Sequence, residues 1–169
     1  PHGGAGAWDA THIRKTNLIV DVSGVLTCFY EGYNGSNWKI GVTHSYDKGV
    51  TWQKYGSNPI ITNDQGWEGS HVQRPVVLYD LDAPATHRFK MWYAGGGVGE
   101  AVGFAYSADG LSWTKYASNP VLVPGFPGEF DDTYVLPGAI VKRGKEYTLI
   151  YNGNDGASTW SVGKSTFEK

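Results

Sequence analysis

The sequence lacks several features on which large classes of protein depend. Cys28 is its only cysteine, so an internal disulfide framework is excluded, and its apolar surroundings predict a small buried side chain. No apolar run approaches the roughly 18 residues that a membrane-spanning helix needs. The formal net charge is −2 and the basic residues are scattered, so no basic patch indicates nucleic-acid binding. We therefore expect neither a nucleic acid nor a membrane as a partner.

What the sequence does contain favours an all-β protein. It has 24 glycines and 14% aromatic residues, and its apolar residues show no sustained 3.6-residue period. A chain of 169 residues can bury roughly 70% of its unfolded surface as one domain, and no linker or low-complexity tract divides it. We predict a single domain over residues 1–169, built from short strands and tight turns.

One long segment of the sequence occurs twice. The segment VGFAYSADGLSWTKYASNPVL at 102–122 repeats IGVTHSYDKGVTWQKYGSNPII at 40–61, and 61 residues separate Trp52 from Trp113. In each copy, Gly-x-x-x-Ser ends one strand, an Asp-containing turn follows, and a Trp begins the next strand. A segment repeated at a fixed period is the signature of a repeat architecture.

Other positions recur three times. A strand ending in Tyr-x-Gly lies at 28–32, 91–95 and 149–153, and an aromatic–acid pair precedes the first strand of each unit. These positions define three four-strand units at approximately 8–61, 67–123 and 130–169, of which the last stops before its fourth strand. Four antiparallel strands in such a unit form a β-propeller blade, which buries its faces by stacking on its neighbours.

Three nearly complete blades do not close a ring, because propellers use about four to eight blades. Two explanations stay open. Either a missing chain segment completes the propeller, or the chain self-associates as a homo-oligomer. We favour the first, a chain that forms part of a longer propeller.

The repeat Tyr-x-Gly … Gly-x-x-x-Ser-x-Asp-Gly-x-x-Trp … Asn-Pro-Val-Leu resembles blades of the five-bladed propeller glycosidases. That group includes arabinanases, xylosidases, invertases, levansucrases and mannoside phosphorylases. The resemblance covers nearly the whole chain and implies part of a five-bladed propeller. Residues 45–52, SYDKGVTW, also match the Asp-box of sialidase propellers, which implies a folding turn in which Asp47 and Asp109 are structural.

The resemblance implies an active site at the axial end of the ring, over the starts of the first strands and the loops between second and third strands. Glycoside hydrolysis needs two carboxyl groups, one of them protonated. The candidates are Glu68 as general acid, with Asp131 or Asp9 as base or nucleophile, since a ring would point all three toward its axis. Alternatively, each acid caps the start of a strand and recurs only because the blade recurs.

The sequence also departs from the resembled enzymes. Many of them place an Asp directly before the proline of the first strand, where this sequence has Arg74 and Leu136. The activity implied by the resemblance is then altered, differently placed or lacking.

The same mapping gives a set of candidate substrate-binding residues. They are Trp8, His12, Trp67, His71, Arg74, Glu100, Asp132, Tyr134 and Asn154. The tryptophans can stack on sugar rings, and the histidines can contact hydroxyl groups or a metal. Arg74 can clamp a carboxylate or phosphate of a substrate, or pair with Glu68. No cofactor is expected, although a structural calcium ion at the propeller axis stays open.

Two functions follow as hypotheses. The first is a carbohydrate-active propeller, a glycoside hydrolase or a fragment of one, that acts on an oligo- or polysaccharide through axial carboxylates. The second is a non-catalytic glycan-binding or assembly module. The sequence leaves the localisation open, with a secreted or periplasmic protein slightly favoured.

Overall fold

A computed structural model describes residues 2–97, 99–157 and 159–168 of the chain. Its strands are β1 (His12–Val20), β2 (Leu26–Tyr33), β3 (Trp38–Ser45), β4 (Gln53–Lys54), β5 (His71–Tyr79), β6 (Phe89–Gly97), β7 (Gly99–Ser107), β8 (Thr114–Lys115), β9 (Tyr134–Arg143), β10 (Glu146–Asn154) and β11 (Trp160–Glu168). Short 3-10 turns lie at Gly66–Glu68 and Ala85–His87. Within the described ranges, no helix has the length and apolar character needed to cross a membrane.

The strands form three consecutive antiparallel blades. β1 to β4 make the first, β5 to β8 the second, and β9 to β11 the third, which ends at its third strand. Blades two and three are joined by a parallel bridge between Glu100 of β7 and Tyr134 of β9. The predicted all-β fold of propeller blades, with the last blade incomplete, is confirmed.

The first strands of the blades lie side by side at the centre, where β1 contacts β5 and β5 contacts β9. β1 has an irregularity between Arg14 and Asn17, and β5 has one between Gln73 and Val76. At the bulge of β5, Arg74 adopts a φ of 55°, in the left-handed region that non-glycine residues rarely occupy. These bulges re-aim the side chains of the inner strands.

Two apolar clusters hold the blades face to face. Between blades one and two, Phe29 and Val42 pack with Val77 and Met91, and all four are buried. Between blades two and three, a second cluster contains Trp92, Val102, Val135, Leu149 and Tyr151. Each fully buried aliphatic or aromatic side chain contributes about 1.5–3 kcal/mol. A single blade cannot obtain this burial, so stacking is what stabilises the repeat.

The two Asn-Pro segments cover the outer side of β3 and β7, the third strands of the two complete blades. In blade two, the Asn119 side-chain amide donates to the Phe104 carbonyl at 2.9 Å and accepts from the Phe104 N–H at 2.8 Å. In blade one, Asn58 makes the same pair of bonds to Val42. The asparagine side chain therefore extends the pairing that the two-residue fourth strand cannot continue.

The Asp-containing turns use their carboxylates internally. Asp47 accepts hydrogen bonds from the Thr51 hydroxyl at 2.6 Å, the Thr51 N–H at 2.8 Å and the Ser45 hydroxyl at 2.8 Å. Led by the bonds from Thr51, these contacts lower the pKa of Asp47 to about 2. Asp109 accepts from the Leu111 and Ser112 N–H groups in the equivalent turn.

We expect Asn119→Ala to lower the free energy of unfolding by about 1–3 kcal/mol, because it leaves the Phe104 N–H without a partner and leaves the Phe104 carbonyl with the Tyr116 N–H alone. Asn63→Ala is the matched control, since Asn63 makes one exposed bond to the Gly69 carbonyl. Urea denaturation followed by tryptophan fluorescence measures both. Equal stability of the two variants would contradict the role given to the Asn-Pro segment.

Candidate functional site

A pocket of about 300 Å³ opens at the end of the blades where the inner strands begin. It is lined by Arg14, Trp38, His71, Gln73, Arg74, Glu100, Tyr134, Leu136 and Trp160. Its size lies at the lower limit of ordinary ligand sites. The pocket draws on all three blades.

The lining follows from the repeat register. The first and third strands of each blade start at the same end of the sheet, because both run antiparallel to the second strand. The third residue of each inner strand lines the pocket, and so do three equivalent residues at the starts of the third strands. These two sets are Arg14, Gln73 and Leu136, and Trp38, Glu100 and Trp160. Equivalent positions therefore converge on one site, with a different residue type in nearly every blade.

Glu31 links this pocket to the contact between blades one and two. Its side chain is fully buried, and it accepts a bond from Arg14 Nε at 2.6 Å and from the Arg74 N–H at 2.8 Å. The Arg14 guanidinium in turn lies 3.8 Å above the Trp38 ring. A buried carboxylate with partners on both sides fixes Arg14 and the bulge at Arg74 in place.

Glu100 is the carboxyl group that faces the pocket. It accepts a bond from Gln73 Nε2 at 2.6 Å and lies 3.8 Å from His71 Nε2, and its side chain is 17% exposed. Burial raises the pKa of Glu100, and this outweighs the opposing effects of Arg74, His71 and Gln73. A partly buried carboxyl with a raised pKa is suited to proton donation.

Arg74 lies between the pocket and a second, polar cavity of about 240 Å³ near the inner strands. That cavity is lined by Lys15, Thr16, Asn17, Arg74, Pro75, Val76, Pro137, Gly138 and Asn152. Arg74 Nε is buried and forms no hydrogen bond within the described part of the chain. The expected alternative, a pair between Arg74 and Glu68, is not what the structure contains, because Glu68 bonds Lys115.

The predicted catalytic acids lie inside their own blades. Glu68 is fully buried, accepts from the Tyr93 hydroxyl at 2.8 Å and pairs with Lys115 at 2.6 Å. Burial raises the pKa of Tyr93, and the neighbouring Glu68 charge raises it further. Lys115 also bonds Asp64 at 2.5 Å and the Thr62 carbonyl at 2.6 Å.

Asp9 and Asp131 follow the same pattern. Asp9 is buried, accepts from the Tyr30 hydroxyl at 3.1 Å and pairs with Lys54 at 2.5 Å. Asp131 is buried and accepts from the Tyr151 hydroxyl at 2.7 Å. Burial, followed by the bond to Asp131, raises the pKa of Tyr151 to about 12.

Lys54 and Lys115 belong to the outermost strands, β4 and β8, so Asp9 and Glu68 point across their blades, while Asp131 bonds Tyr151 of β10. None of the three carboxylates is among the residues that line the pocket. Their catalytic role stays a prediction, and the geometry favours the alternative in which each acid organises its own blade.

The two predicted sugar-stacking tryptophans also serve the blades. The Trp67 ring lies against Gly95 and Gly103, where an added Cβ would come within 2.4 and 2.6 Å of the ring. Trp8 covers Gly32 and Gly41 in the same way. This contact explains the recurring glycines, which leave room for the ring. Neither tryptophan lines the pocket.

The other predicted binding residues divide between the pocket and its surroundings. Those that line the pocket are His71, Arg74, Glu100 and Tyr134. His12 lies beside it, with its ring centroid 6.3 Å from that of Trp38. Asp132 accepts from the Gly128 N–H and the Thr133 hydroxyl. Asn154 is buried and bonds the turn before β11, through the carbonyls of residues 157 and 159.

Sequence reasoning missed Arg14, Glu31, Trp38, Gln73, Leu136 and Trp160. For Arg14, Glu31, Gln73 and Leu136 the signal is a departure from the repeat, whereas Trp38 and Trp160 are the same residue at equivalent positions. Glu31 stands in the middle of Tyr-x-Gly, where the other blades have Ala94 and Asn152. Within the described ranges, no group of three or more His, Cys, Asp or Glu side chains is arranged to hold a metal ion.

Comparisons with known proteins give a fold and no family. No protein-family model matches the sequence, and no curated protein matches it. Solved structures do match: a glycoside hydrolase has a TM-score of 0.74 at 16% identity, over 98% of this chain and 50% of that one. A structure reported for the mannoside phosphorylase family, said to contain glycoside hydrolases that target β-1,2 mannosidic linkages in Candida mannan, has a TM-score of 0.68 at 18% identity. This match covers 92% of this chain and 48% of that one.

A third match is an N-acetylgalactosamine deacetylase from F. plautii in complex with blood group B trisaccharide. Its TM-score is 0.71 at 16% identity, over 95% of this chain and 51% of that one. The chain thus spans about half the length of each of these three structures. At these identities the likeness shows that the chain shares the fold of propeller glycosidases, as the repeat predicts, and the activity has to be argued from the site.

We expect Lys115→Met to lower the free energy of unfolding by about 3–5 kcal/mol, because it leaves the buried Glu68 carboxylate without its cation. The exposed Lys145→Met is the control and should change stability little. Urea denaturation measures both, and adding Glu68→Gln to Lys115→Met should recover part of the loss. A neutral Lys115→Met variant would show that the pair does not hold the blade together.

Proposed function

We propose that this chain forms about half of a carbohydrate-active propeller whose axial pocket binds an oligo- or polysaccharide. The observation that carries this proposal is the pocket itself, which is lined by polar side chains from three blades and by two tryptophans. Arg14, His71 and Gln73 offer hydrogen-bond donors to sugar hydroxyls. Trp38 and Trp160 offer aromatic faces to the apolar side of a sugar ring.

We further propose that the propeller is a glycoside hydrolase in which Glu100 is the general acid. Glu100 would donate its proton to the glycosidic oxygen as the bond from that oxygen to the anomeric carbon breaks. Its raised pKa keeps the proton on the carboxyl at higher pH than in a free glutamate.

Hydrolysis also needs a second carboxylate, which attacks the anomeric carbon or activates water. Glu31 does not suit this role, because Arg14 and the Arg74 N–H already occupy its oxygens. In this proposal the second carboxylate comes from a blade outside these three, on the far side of the axial pocket.

The second candidate is a non-catalytic glycan-binding module. It is supported by Glu100 being the single carboxyl among the residues that line the pocket, and by Arg74 and Leu136 at positions where many propeller glycosidases have an aspartate. Such a module would bind glycans through the same donors and tryptophans but would not hydrolyse them.

Glu100→Gln separates the two candidates. If Glu100 is the acid, the variant made in the complete propeller keeps glycan binding and loses about 10²–10⁴-fold in turnover, measured with aryl glycosides and a panel of plant and microbial glycans. Activity of the unchanged protein should also fall as pH rises through the raised pKa of Glu100, since the proton is then lost. Exposed Glu146→Gln is the control. Glycan binding without turnover in the complete propeller, which would include the second carboxylate, would favour the module, and unaltered turnover in Glu100→Gln would remove Glu100 from the mechanism.

Trp38→Ala tests the pocket as the glycan site in either case. We expect about tenfold weaker binding, because the variant removes an aromatic wall and the surface on which Arg14 rests. Isothermal titration with the best glycan from an array gives the affinity. Tyr46→Ala, at a residue 68% exposed and outside the pocket lining, should bind as the unchanged protein does. Equal affinities would place the glycan elsewhere.

A further inference from the structure

The outer side of β11 differs from the same side of the two complete blades. In those blades, the third strand is followed by a segment that supplies a lysine, an Asn-Pro pair and two aliphatic residues, at 54–61 and 115–122. β11 is instead the edge of its sheet. Among the described residues, blade three therefore lacks three kinds of contact that a fourth strand supplies in the complete blades.

The first difference is apolar burial. Ile40 in β3 and Val102 in β7 are 0% exposed, and each pairs with an aliphatic residue of the segment that follows, Ile61 or Leu122. The equivalent residue in β11, one position before the recurring glycine, is Val162, which is 70% exposed. A fourth strand ending in two aliphatic residues would cover it.

The second difference is charge. Asp9 pairs with Lys54 of β4, and Glu68 pairs with Lys115 of β8. Asp131 occupies the same position in blade three and is 6% exposed, yet no lysine or arginine among the described residues forms an ion pair with it. A buried carboxylate of this kind gains strongly from a cation supplied at the β4 and β8 position.

The third difference is backbone pairing. Val42 and Phe104 each bond an asparagine side chain through both their N–H and carbonyl groups. Lys164 is the equivalent residue of β11, and its outward backbone groups lie on the open sheet edge. Unpaired edge groups are a template for strand addition.

We propose that the outer edge of β11 is a docking site for one extended segment with the pattern Lys-Tyr-x-Ser-Asn-Pro-(Val/Ile)-(Leu/Ile). Its lysine pairs with Asp131, its asparagine bonds the backbone of Lys164, and its aliphatic pair covers Val162. The occupant is a strand additional to residues 1–169. A second copy of the chain is a poorer donor, because Lys54, Asn58, Lys115 and Asn119 are all engaged within their own blades.

The test is a fluorescein-labelled peptide, GLSWTKYASNPVLV, which copies residues 110–123 and is titrated with the chain while anisotropy is measured. We expect saturable binding that weakens at least tenfold when the peptide lysine is replaced by glutamine. In the variant Asp131→Asn, the two peptides should bind within about twofold of each other, because their difference depends on that carboxylate. Equal binding of both peptides to the unchanged chain would overturn the proposal.

Surface variants keep the test independent of the stability of Asp131→Asn. Val162→Asp should reduce peptide binding at least tenfold, while Val22→Asp, at a residue 74% exposed and distant in the sequence, should leave it unchanged. The bound peptide should slow amide exchange at Val162 and Lys164. Peptide binding that ignores Val162→Asp, or concentration-dependent dimers in light scattering that the peptide does not dissociate, would overturn the proposal in favour of another surface or a second copy.

Discussion

A buried carboxylate, tied to a tyrosine of the second strand and a lysine of the fourth, is the interaction on which each complete blade depends. In blade two, Glu68 joins Tyr93 and Lys115 and so connects the start of the inner strand to the outermost strand. Such a pair costs desolvation energy, which only close hydrogen-bonded partners offset. Its partners therefore hold the twist of four short strands in one arrangement, and the aromatic residue before the acid covers the recurring glycines. The repeat in the sequence is the repeat of this internal bridge.

Because each blade is held internally, its axial end is free to carry different residues. The equivalent pocket positions of the three inner strands hold Arg14, Gln73 and Leu136. Glu31, which bonds Arg14, occurs in blade one alone. Their chemistry is asymmetric, although the strands that carry them are nearly equivalent. A single substrate has no three-fold repeat, so a site for it must depart from the symmetry of the scaffold. In the proposed function, the recurring acids and glycines maintain the blade, and most of the glycan site is formed by positions that differ between blades.

This division explains how much the sequence could predict. The spacing of Trp52 and Trp113 and the aromatic–acid pairs were sufficient for the blades, because strand alternation and turn chemistry are local properties. The candidate pocket is harder to predict, because the acids that recur most clearly bond within their own blades. The contact of Glu31 with Arg14 and with the Arg74 N–H joins two blades. Contacts of this kind depend on how the sheets pack, which no spacing within one blade specifies.

The electrostatics of the pocket follow from the same packing. Glu31 bonds Arg14 and the backbone N–H of Arg74, and the Arg74 guanidinium acts on Glu100 instead. Burial raises the pKa of Glu100, and the charge of Arg74 opposes this rise. Both effects strengthen as water leaves the pocket, because desolvation and Coulomb attraction each grow when the local dielectric falls. A bound sugar that excludes water on the Glu100 side favours the protonated acid, whereas one that brings a negative charge to Arg74 weakens the cation that opposes it. Proton donation by Glu100 therefore requires that burial continue to outweigh the Arg74 charge when the pocket is occupied, as it does in this structure.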